Sequence, residues 1–209
     1  GTGGAVTEFE ASQGIKQALS KGVDIGIQYL NKQDGFFGDQ AYKLFLPEDA
    51  QKVETTLRTI GLGKQVDQAI LQINRAAENA VGYAKPIFVD AITDMSVADA
   101  LGIIRGGNTS ATNYFRQKTS TALVAAFSPQ IKSSLEKLNA TKYYSDMVAT
   151  YNSLPTTLRK VNPNLVEYVA DKATIALFDQ IAKEEANIRA NPVARTTEIL
   201  KKVFGSRYN

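Results

Sequence analysis

Apolar residues recur at spacings of three and four along almost the whole chain. No segment alternates with the period of two that a half-buried strand requires. Ile15, Leu19, Val23, Ile27 and Leu30 line one side of a helix expected over Phe9 to Lys32. A second stripe of Val66, Ala69, Ile70, Ile73, Ala77 and Val81 does the same between Lys64 and Gly82. A helical period cannot put its apolar set on one face of a sheet, so this patterning specifies an all-α protein. With 209 residues, 44% of them hydrophobic, the chain can bury a core without disulfides or metals.

Local punctuation divides the pattern into about nine helices. Pro47 ahead of Glu48 and Asp49 marks the start of one that carries Val53, Leu57 and Ile60 and stops at Gly61-Leu62-Gly63. Pro86 restarts the chain after Gly82, and Ser96 with Asp99 forms a capping box for a short helix to Arg105. Gly106-Gly107 ends it, Asn108 or Thr109 caps the next helix to Phe127, and Ser128-Pro129 signals a fresh start. Thr141 caps a helix bearing Tyr144, Met147, Val148 and Tyr151, and Asn164 with Glu167 opens a long one to about Ala190. Asn191-Pro192 begins the last, ending near Phe204. The one long irregular connection, 153–163, holds Pro155 and Pro163. This punctuation predicts a flexible tether over 1–8, a single all-α multi-helix bundle over 9–205 and a tail over 206–209. No repeat with a period of about 20–50 residues is present, so a solenoid is not expected.

Chemistry is narrowed by what is missing. There is no histidine, cysteine or tryptophan. This removes the ordinary Ser-His-Asp and Cys-His nucleophile systems and the usual ligands of zinc, haem and iron–sulfur clusters. We expect neither cofactor nor metal. Asp90, Asp94 and Asp99 lack the calcium-loop pattern, and Asp99 is already used in a cap. The net charge is +3, from 24 basic and 21 acidic residues, and the densest basic cluster is Lys201-Lys202 with Arg207 beyond. That is no basic face, so nucleic acid is not an expected partner. The longest apolar runs, such as Ala122 to Phe127, are far short of the roughly 20 residues a transmembrane helix needs. A first residue of glycine rather than methionine suggests removal of a leader.

Three constellations invite a functional reading. Gly14, Ala18, Gly22 and Gly26 recur every fourth residue on the first helix, a ridge suited to close helix packing inside the protein or, alternatively, to a weak dimer. Glu184 is in register with Leu177, Ile181 and Ile188, which places a carboxylate on an inward stripe. Asn74, Glu78, Arg116, Glu184 and Arg195 could line a polar pocket. They could equally form a buried ion-pair network that fixes how helices dock, with Arg75 and Arg189 as further partners. Gly106, Gly107, Asn108 and Thr109 form a turn into a helix N-terminus that can present N–H groups to an anion, although a plain pair of caps also explains it. Tyr143, Tyr144, Tyr151 and Tyr168 read as core residues between helices.

Several stretches together carry a resemblance. They include Lys21-Gly22-Val23-Asp24, Asp34-Gly35-Phe36-Phe37, Leu46-Pro47-Glu48 and Ile73-Asn74-Arg75-Ala76-Ala77-Glu78. Ala84-Lys85-Pro86-Ile87-Phe88, Glu184-Glu185 with Ile188-Arg189, Asn191-Pro192 and Arg195-Thr196-Thr197 complete it. The chain resembles, from about Ala18 to Gly205, the bacterial family of domains of unknown function numbered four-one-nine-seven. The resemblance implies an exported protein of Gram-negative bacteria, Bacteroidetes among them, periplasmic or lipid-anchored through a cysteine removed with the leader. It implies no activity, so no catalytic residue is carried over. Its polar positions coincide with the Asn74, Arg75, Glu78, Glu184, Glu185, Arg189 and Arg195 group.

The expectation is therefore an envelope protein, monomeric or weakly dimeric, that binds a small molecule, lipid, peptide or protein partner, or serves a structural role. The alternative is a hydrolase working with paired carboxylates and no histidine, as glycoside hydrolysis allows.

Overall fold

The computed structural model describes residues 7–137, 140–155, 157, 159–161 and 164–190. Among these the chain is all-α, without a strand. In order, the helices are α1 (Glu8–Asn31), α2 (Gln51–Thr59), α3 (Gly63–Val81), α4 (Lys85–Thr93), α5 (Val97–Arg105), α6 (Ser110–Lys137), α7 (Ala140–Ser153) and α8 (Leu165–Ala190). Single 3-10 turns, Glu48–Ala50 and Gly82–Ala84, precede α2 and α4. Both leading stripes are buried as their spacing requires: Ile15, Leu19, Val23, Ile27 and Leu30 on α1, and Val66 through Val81 on α3.

The described residues thus form eight α-helices, against the expected count of about nine. One expected boundary is corrected. Ser128-Pro129 does not begin a helix, because α6 runs straight through Pro129. The Ser128 hydroxyl donates to the Val124 carbonyl at 2.7 Å instead of capping a new N-terminus. Leu123, Phe127, Ile131 and Leu135, four apart and fully buried, hold one continuous stripe across the proline. Burial of that stripe outweighs the roughly 3 kcal/mol a mid-helix proline costs. A second correction concerns Ile60, expected to face inward. It lies past the end of α2 and is 64% exposed. The helix expected from Asn191-Pro192 to Phe204 falls outside the described residues.

Other boundaries follow their local chemistry. Gly61, with φ at +92°, closes the C-terminal end of α2, a conformation that costs glycine nothing. Ser96 and Asp99 make the capping box in both directions, and the Ser96 N–H that donates to the Asp99 carboxylate lowers its pKa. Asn164 accepts from the Glu167 N–H at 3.2 Å and so opens α8.

The chain divides into two compact units. The first takes Gly1–Tyr29, Tyr83–Leu123 and Leu177–Asn209; the second takes Leu30–Gly82 and Val124–Ala176. In the first, the glycine ridge of α1 lies against α8. A Cβ on Gly22 would sit 3.2 Å from Ile188 Cδ1, and one on Gly26 would sit 3.4 Å from Gln180 Cβ. Phe88 of α4 packs edge-on to Phe115 of α6 and Phe178 of α8 at 5.2 and 6.3 Å. In the second unit, α3 packs on α2 and α7. A long turn over 34–46 lies on α3 as well, held by hydrogen bonds described next.

Candidate functional site

The polar residues singled out in the sequence do not converge on one pocket. They resolve into two clamps, each in its own unit, and each built around a buried glutamate.

In the second unit, α3 presents Asn74, Arg75 and Glu78 to the turn over 34–46. Glu78 is 2% exposed. Its Oε2 accepts the main-chain N–H groups of Phe36 and Phe37 at 3.1 and 3.0 Å, and its Oε1 accepts from Arg75 at 2.8 Å. Arg75 also reaches Asp34 at 2.8 Å, and bonding to Glu78 above all raises its pKa. Asp34 sits at φ +68°, so this contact anchors a left-handed residue at the start of the turn. One turn of helix earlier, Asn74 treats Leu44 as a strand partner would: Oδ1 accepts from the Leu44 N–H and Nδ2 donates to the Leu44 carbonyl, both at 2.8 Å. Nδ2 donates to the Ile70 carbonyl as well. The turn bonds its own backbone at Gly38, Asp39, Tyr42 and Lys43, and these α3 side chains supply partners for the main chain of Phe36, Phe37 and Leu44.

In the first unit the buried acid is Glu185, 3% exposed. Its two oxygens accept the N–H groups of Ala111 and Thr112, each at 2.9 Å, and the Thr112 hydroxyl at 2.7 Å. Ala111 and Thr112 are the first turn of α6, so Glu185 caps that helix from α8. Arg189, one turn on, donates to Glu185 at 3.0 and 2.8 Å and to the Ile103 carbonyl at the end of α5 at 2.9 Å. It also reaches the Ser110 hydroxyl. The α5–α6 corner is therefore locked from one side by a single ion pair. The close fit continues at Gly106, where a Cβ would lie 2.6 Å from Ser110 Cβ.

This geometry places each predicted residue. The turn Gly106, Gly107, Asn108 and Thr109 does lead into a helix N-terminus whose N–H groups hold an anion, and the anion is the protein's own Glu185. Glu184, predicted inward, is half-buried and forms no hydrogen bond or ion pair with the described residues; burial raises its pKa. Arg116 is exposed, bonded to Asn113 at 2.8 Å and stacked over Phe178 at 5.3 Å. Arg189 belongs to the first-unit clamp, and Arg195 falls outside the described residues.

Sequence reading missed a concave surface that lies wholly within the second unit. Two adjoining cavities of about 320 and 210 Å³ share Asp49 and Val161 as walls. Glu48, Lys52, Tyr151, Arg159 and Lys160 line the larger, and Pro47, Asn164, Glu167, Tyr168 and Asp171 line the smaller. Val161 is pinned by Asn152, whose carboxamide accepts from the Val161 N–H at 2.8 Å and donates to its carbonyl at 2.9 Å. Tyr168 donates to the Phe45 carbonyl at 2.7 Å, which fixes its ring. Tyr144 is 1% exposed, its hydroxyl finds no hydrogen-bond partner among the described residues, and its pKa is pushed up to about 12 by burial and then by Tyr168 and Asp49. The one signal available beforehand was the pair of tyrosines, which the helical period assigned to the core.

Among the described residues no group of three acidic side chains could hold a metal ion, and no helix is long and apolar enough to cross a membrane. Fold and clamps together define an all-α protein whose buried charges organise its own turns. The chain belongs to the family described as Protein of unknown function (DUF4197), whose model matches residues 5–205. No curated protein and no solved structure matches it.

Proposed function

We propose that this protein is a non-enzymatic binding module of the bacterial envelope, in which the two clamps build a stiff scaffold and the groove of the second unit meets the ligand. The observation that carries this reading is the full use of the buried acids. Both oxygens of Glu78 and of Glu185 are already taken by main-chain N–H groups and arginines. A carboxylate hydrolase needs one acid with a raised pKa and a second at productive distance. Glu184 has the raised pKa, but its sequence neighbour Glu185 points into the α6 cap. The groove joins the faces of Tyr151 and Tyr168 and the apolar Val161 and Pro47 to charged side chains of both signs, a mixed lining that supports recognition of a polar ligand.

Native mass spectrometry of protein purified from its own host tests the reading. We expect a retained small molecule or partner, removable by mild denaturation. Turnover of a glycoside or ester panel that is lost in Glu184→Gln overturns it. The envelope setting has a separate test, the genomic sequence upstream of residue 1: an export signal, with or without a lipid-attachment cysteine, is expected. Recovery of the native protein from the cytosolic fraction overturns that part.

A further inference from the structure

Past the main-chain bonds that Glu78 accepts, burial alternates along 42–46 as it does on a strand. Tyr42, Leu44 and Leu46 are 7%, 6% and 2% exposed, while Phe45 between them is 53% exposed. Lys43 and Phe45 share the outward face. The Lys43 ammonium lies 4.5 Å from the ring centroid of Phe37 and 5.5 Å from that of Phe45. A solvated outward face calls for polar residues, yet this one carries an aromatic ring beside a half-buried cation. Arg75 meets the same Phe37 ring at 5.4 Å, but its charge is answered by Glu78 and Asp34. Lys43 forms no ion pair with the described residues. The main chain here is fully paired on one side only, where Leu44 engages Asn74 through both its N–H and its carbonyl. On an extended chain the groups of the flanking residues point the opposite way. There the Lys43 N–H donates to the Asp39 carbonyl at 2.8 Å, and the Phe45 carbonyl accepts from Tyr168 at 2.7 Å. Between those two bonds, the Lys43 carbonyl and the Phe45 N–H have no hydrogen-bond partner among the described residues. They form an open strand edge one residue long, flanked by a cation and an aromatic face.

Going beyond the groove, we propose that this edge takes an extended acidic peptide by strand addition. One residue of a strand running parallel to 42–46 fills it. Its N–H donates to the Lys43 carbonyl, and its carbonyl accepts from the Phe45 N–H. That residue stands level with the buried Leu44, so it is small. The residue before it stands level with Lys43 and brings a carboxylate to the ammonium. The residue after it stands level with Phe45 and lays an apolar side chain on the ring. Asn74 and Tyr168 hold the segment in place before the peptide arrives, which lowers the cost of ordering it.

The test is a titration of ¹⁵N-labelled protein with the peptide acetyl-Thr-Glu-Ala-Val-Thr-amide. Two altered peptides run beside it, one with Gln in place of Glu and one N-methylated at the Ala nitrogen. We expect saturable shifts at the amides of Lys43, Leu44 and Phe45, with the Phe45 proton moving downfield as it gains an acceptor. The Gln peptide should bind about three- to tenfold more weakly, the loss expected for one half-buried charge pair. The N-methylated peptide, without its donor to the Lys43 carbonyl, should not saturate over the same range. Lys43→Gln should make the Glu and Gln peptides bind alike, and Phe45→Ser should weaken both. These two side chains face outward, and far-UV dichroism checks that each variant keeps its helices. Absence of saturation at millimolar peptide, equal binding of the Glu and Gln peptides, or equal binding of the N-methylated one overturns the assignment. Shifts confined to Arg159, Lys160 and Val161 also overturn it, and leave the groove reading intact.

Discussion

Adjacent glutamates on α8 have opposite fates. Glu185 bridges Arg189 and the first turn of α6, so removing it strands a buried guanidinium and uncovers two N–H groups. We expect Glu185→Ala to cost about 3–5 kcal/mol in urea denaturation, and the pairing of that change with Arg189→Leu to cost less than the single substitution. Glu184 behaves the other way. Its carboxyl holds a proton more tightly when folded than when unfolded, because burial disfavours its charge. The folded state therefore binds more protons in that window, and stability declines as pH rises through it. Glu184→Gln should be at least as stable as the parent near neutral pH, with the advantage vanishing as pH falls through the ordinary carboxylate range. Thermal melts at a series of pH values check both the sign and the window. The site was legible only in part. Asn74, Arg75, Glu78 and Arg189 were identified as candidates for buried pairing, whereas Glu184 was set inward because a narrow stripe through Leu177, Ile181 and Ile188 contains it. In the fold α8 is buried over a broader arc that takes in Phe178, Ile181, Glu185 and Arg189, and Glu184 falls at its margin. The stripe records which residues are apolar, and the partners of a carboxylate 73 and 74 positions away leave no periodic trace.

Glycines make the sharpest predictions for helices and their ends. Gly102 lies inside α5 with no atom close to where a Cβ would stand, so Gly102→Ala should stabilise by roughly 0.5–1 kcal/mol through helix propensity alone. Four residues on, Gly106→Ala would press a methyl against Ser110 and the Gly102 carbonyl, at 2.6 and 2.9 Å, and should destabilise by about 1–3 kcal/mol. Chemical denaturation of the two variants side by side tests the contrast; a matching sign would show that the α5–α6 corner relaxes freely. The glycine ridge of α1 makes the same point, since Gly22 and Gly26 are spent against α8. Helix positions were readable because period, caps and glycine stops are local signals. The run through Pro129 was not readable, because the burial of Leu123, Phe127, Ile131 and Leu135 that overrides the proline comes from tertiary packing and leaves no local signal. The turn over 34–46 was recognisable as a turn from Asp34-Gly35, yet nothing nearby announced that its backbone partners sit on α3.

At the scale of the molecule, stability rests on apolar stripes and two ion-paired clamps, and the chain has neither cysteine nor histidine, the usual ligands of a structural zinc. We expect a chelator to leave the melting temperature unchanged, and a shift of several degrees would point to a bound ion. With no tryptophan in the chain, such melts are followed by far-UV dichroism or tyrosine emission. The Glu185 cap also bears on how the protein is made. Ala111 and Thr112 leave the ribosome 74 and 73 residues before the carboxylate that will receive them. At translation rates of about 5–20 residues per second, the start of α6 waits roughly 4–15 seconds with open N–H groups. A nascent chain arrested before residue 185 should therefore show α6 amides that exchange quickly, and release of the following turn should close them.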